Sequence, residues 1–355
     1  MEIAALYLPQ FHTIPENDEW WGKGFTEWTN VVKARPLFRG HLQPNSPGEL
    51  GYYSLLDEEV REAQASLARE FGITSFCYWH YWFGNGKVLL EKPLAEVIES
   101  GKPDFPFFVG WANHSWTGIW VGAPGRTLLE QTYPGAEDDR AHFNSLLPAF
   151  RDARYVTLQG KPVFIIFNPT GLPDPKHFVE TWQGLAKEAG LPGLYIVAWV
   201  EGKRGFVKYR NHSRDGFDAG LYVSIAVKRN LVNVTRDILR TQFTRLGPGR
   251  YKRSMELPRP FRKLKGVVHQ SVQPNWDNTP RSSRGGFAIT DASPEVFESQ
   301  LAEALTMELN NDVDQQLVVI KSWNEWAEGN YLEPDDRWGR GWLQAVQGAR
   351  RKCGF

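Results

Sequence analysis

Eight short apolar runs punctuate the chain. They are "IAALYL" (3–8), "ITSFCYW" (73–79), "PFFVGW" (106–111), "PVFIIFN" (162–168), "LYIVAW" (194–199), "DAGLYVS" (218–224), "GVVHQSV" (266–272) and "LVVIKSW" (317–323). Polar and apolar positions do not alternate within them, so each reads as a strand covered on both faces. Between them stand segments with apolar positions at helical spacing: 57–72, 138–155, 176–190 and 293–311. The first ends on a glycine and the last opens Ser–Pro–Glu, both helix-boundary signals. Eight such strand–helix units predict an α/β protein, a single (β/α)8 TIM-type barrel over residues 1–355. An open dinucleotide-binding sheet is disfavoured, because no GxGxxG follows the first strand.

Two βα loops are expected to be long, about 9–56 and about 225–265. The second is strongly basic: Lys228, Arg229, Arg236 and nine further Lys or Arg residues face only Asp237 and Glu256. Such a stretch is either a solvated helix face or a surface for an anionic partner, such as an acidic glycan, a lipid-linked glycan or a membrane face.

Composition narrows the function classes. Hydrophobic residues are 41% and charged residues 23% of the 355, as in a globular domain. The formal net charge is zero, which gives no argument for a nucleic-acid partner. Two cysteines, Cys77 and Cys353, cannot build a disulfide framework or a zinc site. The start "MEIAALYLPQF" reads as a strand rather than a leader, which makes the cytoplasm the expected location. The unusual feature is aromatic: 15 Trp, 12 Tyr and 21 Phe. Indole faces pack well on the C–H faces of sugar rings.

The chemistry of such a barrel collects at the C-terminal ends of its strands. Past the first run stand Glu27 and Trp28. Past the second stand His80, Tyr81 and Trp82. Past the third stand Trp111, Asn113 and Trp116, and past the seventh Trp276, Asp277 and Arg281. The eighth leads into "NEWAEG", with Asn324, Glu325, Trp326 and Glu328. Arg281 and Asp277 are expected to bond a sugar or orient Glu325. The histidines are scattered, without HxH or HxxxH spacing, so neither a metal nor another cofactor is expected.

Four stretches in this order, "YLPQFHTIPENDEWWGKGFTEWTNV", "CYWHYWFGNGKVLLEKPL", "PNWDNTPR" and "SWNEWAEGNYLEPD", resemble the WbsX-type glycosyltransferase-like family of bacterial surface-polysaccharide loci. That family is distantly similar to glycoside hydrolase family 99, the endo-α-mannosidases and endo-mannanases, which are (β/α)8 barrels. Their signature, Asn–Glu–Trp–x–Glu–Gly, stands here as Asn324 to Gly329, with Ala327 where those hydrolases have histidine.

Ordinary retaining glycosidases place two carboxylates about 5–5.5 Å apart across the anomeric carbon. Two glutamates three residues apart on one loop reach the same side instead. The resemblance implies neighbouring-group participation: Glu325 takes the proton of the sugar 2-hydroxyl, which closes on C1 as a 1,2-anhydro sugar. Glu328 acts as acid to the leaving oxygen and then as base to water. An acid in this role needs a raised pKa. The expected substrate is thus an oligo- or polysaccharide with α-mannoside- or α-rhamnoside-type linkages. A glycosyltransferase of lipopolysaccharide, O-antigen or exopolysaccharide assembly is the alternative, and a non-catalytic glycan-binding protein the third. The one Asp–x–Asp match, Asp312–Val313–Asp314, precedes the last strand.

Overall fold

In a computed structural model, residues 1–38, 40–118, 126–223, 251–252, 265–289 and 292–355 are described. The eight expected strands are all present: β1 (Glu2–Tyr7), β2 (Ser75–Trp82), β3 (Phe107–Trp111), β4 (Lys161–Ile166), β5 (Tyr195–Glu201), β6 (Ala219–Val223), β7 (Val267–Val272) and β8 (Leu317–Ile320). Each pairs in parallel with the strand before it, and β1 closes the ring on β8, Ile3 opposite Val318 and Ala5 opposite Ile320. Burial explains the continuous apolar runs: every residue of β2, β3, β6 and β8 is buried, between the barrel interior and the helices outside.

The helices also fall where the apolar spacing puts them: α1 (Glu58–Phe71), α3 (Ala136–Phe150), α4 (Pro175–Glu188) and α5 (Pro294–Glu308). Two more, α2 (Lys92–Ser100) and α6 (Gly341–Lys352), complete the described long helices. The expected end of α3 at 155 is corrected to Phe150. There Asp152 accepts from both the backbone and the guanidinium of Arg154, a local turn that competes with further helix. Ser293 caps α5 by accepting the Val296 N–H at 3.4 Å. The 9–56 loop carries two short helices, Pro15–Trp21 and Glu27–Lys33. The basic segment lies outside the described residues except for Tyr251–Lys252, paired with Ala288–Ile289, and Lys265. Asp312 and Asp314 are exposed at the entry to β8, the rim away from Glu325. Among the described residues no helix is long and apolar enough to cross a membrane.

One buried polar brace ties α5 to the sheet. Glu308, at the end of α5, accepts from His269 Nδ1 at 2.7 Å and from the Leu317 N–H at 3.0 Å. His269 Nε2 meets the Tyr195 hydroxyl at 3.2 Å, so β5, β7, β8 and α5 meet in one network. Glu308 and His269 are both fully buried. Removing one partner of such a pair leaves the others without solvent or acceptor, so Glu308→Ala should destabilise by about 3–5 kcal/mol. The denaturant midpoint measures this; a loss near that of an exposed surface change would show the brace to be slack.

Candidate active site

The carboxylate pair sits on a short turn that the barrel rim holds rigidly. Past β8, Asn324–Glu325 pair antiparallel with Asn330–Tyr331, and Trp326–Glu328 form the turn between them. Asn324 clamps this hairpin to β1, accepting the Leu8 N–H at 2.7 Å and donating to the Leu8 carbonyl at 3.1 Å. Gly329 leaves the turn with φ +59°, and a Cβ there would lie 2.9 Å from Cβ of Asp277. The Asp277 N–H donates to the Glu328 carbonyl at 2.6 Å, which fixes the loop after β7 against the turn.

Under the turn lies Glu333, a fully buried carboxylate that no motif or spacing singled out. It accepts from Trp326 Nε1 at 2.6 Å, Gln64 Nε2 at 2.6 Å, Tyr53 Oη at 2.8 Å and Trp323 Nε1 at 3.0 Å. Burial raises its pKa to about 7, against those donors. The two tryptophans that interleave with the glutamates are therefore anchors: both are at most 1% exposed, and Trp326 stacks on Tyr331 at 3.8 Å.

The charges above this anchor are shared among five groups. Arg281 Nη1 donates to Glu328 Oε1 at 2.6 Å, and Nη2 donates to Glu27 Oε1 at 2.5 Å. Burial pushes Glu328 up, but the charges of Arg281 and Lys321 outweigh it and hold the carboxyl below its ordinary range. Glu325 behaves oppositely. Burial first, and the Glu328 charge second, raise its pKa to about 8. The pair thus keeps one proton at neutral pH, and it rests on Glu325. The raised pKa expected of Glu328 is found on its neighbour, because Arg281 bonds Glu328 and not Glu325. Burial likewise raises Glu27, with Arg281 opposing.

Several expected sugar contacts are buried and engaged with the protein instead. Trp28 donates to the Tyr53 carbonyl, Trp111 to the Trp82 carbonyl, and Trp82 to Asp138. His80 meets His142 at 3.0 Å, and Asn113 straps the loop after β3 to Asn168. Trp116 packs edge-on to Tyr81, which is itself buried and feels the Glu325 charge. Asp277 is turned away from the pair: it accepts from His41 at 2.8 Å, Gln43 at 2.7 Å and the Thr279 hydroxyl at 2.6 Å. Trp276 is half-buried. The groups beside the pair that residue order missed are Trp79, which donates to Glu325 Oε1 at 3.2 Å, Trp199, which packs on Trp79, and Lys321. Gly110 makes room for Trp79, since a Cβ there would stand 3.1 Å from the indole.

The carboxyl pair stands at the C-terminal ends of the strands, where (β/α)8 barrels carry their active sites. The model of the glycosyltransferase WbsX family matches residues 3–346, and the chain belongs to that family. It is 37% identical over 98% of its length to the uncharacterized protein WxcX of Xanthomonas campestris pv. campestris, covering 49% of that protein. The chain thus spans about half the length of the curated relatives it matches. Among solved structures it resembles a glycoside hydrolase-like protein, with TM-score 0.65 and 14% identity over 98% of this chain and 93% of the other. It also resembles the family 99 endo-α-mannosidase of Bacteroides thetaiotaomicron, with TM-score 0.60 and 12% identity over 100% and 99% of the two chains. At these identities the likeness is one of fold.

Arg281 is the cation on which Glu27 and Glu328 both depend. Arg281→Met should cost about 3–5 kcal/mol at neutral pH, because it strands two buried carboxylates. Without the guanidinium both carboxyls would titrate above their unfolded value, so the deficit should shrink as pH falls toward about 4.5 and grow as pH rises. Chemical denaturation across pH checks this; a deficit independent of pH would contradict the charge account.

Proposed function

We propose that the chain acts as one catalytic domain, a carbohydrate-active enzyme of the retaining glycoside hydrolase or transglycosidase type. Its substrate on this reading is a bacterial surface polysaccharide with α-mannoside- or α-rhamnoside-type linkages. The observation that carries the proposal is the Glu325–Glu328 pair: two carboxyls on one turn, one titrating high and one low, and so sharing a proton. Their common origin on a four-residue stretch favours participation by the sugar's own 2-hydroxyl over a carboxylate on each side of C1.

In the first step Glu325 accepts the 2-hydroxyl proton as O2 bonds to C1. The bond from C1 to the leaving oxygen breaks, and that oxygen takes a proton from Glu328. In the second step water attacks C1 and gives its proton to Glu328, the C1–O2 bond breaks, and O2 recovers its proton from Glu325. An axial 2-hydroxyl lies anti to an axial leaving group, which is why the manno configuration suits the route. The resting proton is on Glu325, so it must pass to Glu328 as the glycan seats. That transfer lies within one carboxyl pair and leaves the total charge unchanged. If the resting arrangement persists, the two roles exchange.

Transfer to a sugar hydroxyl in place of water would make the same site a glycosyltransferase, a second reading favoured by the family's description. Product analysis with and without an acceptor alcohol separates the two. A cytoplasmic location completes the proposal. An acidic or lipid-linked glycan at the basic 225–265 segment belongs to residues outside those described.

Glu325→Gln and Glu328→Gln should each lower turnover of natural glycans by about 10²–10⁴-fold. The variant lacking the acid should be far less impaired on an aryl glycoside, whose leaving group needs little protonation, and this tells the two roles apart. Full activity of both variants would remove the pair from the mechanism.

The wild-type kcat/KM should fall as pH rises past about 8, where the pair loses its shared proton and no acid remains. It should hold down to the ordinary carboxylate range, below which Glu328 protonates. An alkaline limb at unchanged pH in the Glu325→Gln protein would assign it to another group.

A further inference from the structure

Lys321, whose charge is felt by the carboxyl pair, takes no part in the proton transfers of the proposed chemistry. It follows β8 directly, its N–H bonded to the Val272 carbonyl at 2.8 Å. The residue is 9% exposed. Its ammonium lies 4.6 Å from the centre of the Trp276 ring and 5.8 Å from that of Trp199. Among the described residues it has no hydrogen-bonded or ion-paired acceptor. The other cation beside the pair, Arg281, is held by two carboxylates. The carboxylate of Glu201, the nearest in sequence to Trp199, accepts the Trp199 indole N–H at 3.1 Å.

An ammonium carries three N–H donors and a full charge. The faces of Trp276 and Trp199 offset part of the charge but accept none of the donors well. The Lys321 charge acts on the catalytic glutamates at a distance, but among the described residues no carboxylate pairs with it directly. A nine-tenths buried ammonium so placed is unfavourable, and a direct partner should arrive with the ligand. A sugar hydroxyl would satisfy a donor and leave the charge. A carboxylate satisfies both, in a charge-assisted bond. Lys321 also lies close enough to the catalytic pair for its charge to lower both glutamates.

This inference rests on the carboxyl pair being a glycan site. We propose that Lys321 selects an acidic sugar, a hexuronate whose carboxylate bonds the Lys321 ammonium while its ring lies on the half-buried Trp276. The substrate class is then a uronate-containing glycan, recognised at the pair itself.

The test is a matched pair of probes, methyl α-mannoside and methyl α-mannosiduronate, which differ only at C6. Binding to the wild-type protein is measured by calorimetry or ligand-observed NMR. The uronate should bind about tenfold or more tightly, and rising salt should narrow the gap. Lys321→Met, which keeps an unbranched stem against the indoles, should lose the preference, binding the two probes alike. Lys321→Arg should keep most of it. Equal binding of both probes to the wild type, or a preference that survives in Lys321→Met, overturns the acidic-sugar proposal and leaves the glycan reading standing. Binding of neither probe overturns both.

Discussion

The carboxylate of Glu333 gathers four donors from three separate parts of the chain, and the rest of the rim is built on it. Tyr53 comes from the loop after β1, Gln64 from α1, and Trp323 and Trp326 from the turn after β8. Gln64 in turn accepts the Tyr7 hydroxyl at 2.5 Å, which carries the network to β1. A buried carboxylate is unfavourable unless its lone pairs are filled, and here four N–H or O–H groups point at it. The consequence is geometric. Both indoles that flank Glu325 are fixed from below, so the glutamates have little freedom in where their carboxyls go.

The division of charge between those carboxyls arises from one asymmetry. Arg281 reaches the turn from the loop after β7 and meets Glu328 and Glu27. Glu325 receives the Trp79 indole N–H, and burial and the Glu328 charge outweigh the more distant charges of Lys321 and Arg281. Identical residues on one turn therefore titrate in opposite directions. Spacing in the sequence cannot show this, because the guanidinium lies more than forty positions earlier in the chain.

The barrel itself was legible because parallel strands buried on both faces leave long apolar runs, and none of the eight was obscured by alternation. The carboxylate pair was legible from its motif. The side chains that surround the pair were legible only in part. Residue order tells which side chains stand past each strand but not which way they point. Trp82, Trp111 and Trp326 stand near strand ends and Trp28 on a short helix of the loop after β1, yet each is buried with its indole N–H on a protein acceptor. Lys321 and Trp79 went unnoticed because they sit inside apolar runs that read as strand. Along β2, Trp79 shares its face with Cys77 and Tyr81, and only the three-dimensional neighbour Gly110 reveals the space it fills.

Much of the tryptophan content braces the rim itself. An indole offers a large apolar body and a single donor, which suits it to locking a loop onto a wall: the body fills the space and the N–H finds one carbonyl or carboxylate. Repeated around the rim, this makes an aromatic frame of low polarity. Inside such a frame each uncompensated charge acts over a longer range than it would at a wet surface. Two groups beside the pair therefore stand out for opposite reasons. Burial and the Glu328 charge favour the protonated form of Glu325, and the Lys321 ammonium lies against indole faces with no acceptor bonded to it among the described residues. A ligand that meets both must bring a hydroxyl to the first and an acceptor to the second, and the frame fixes where on the ligand those two groups have to be.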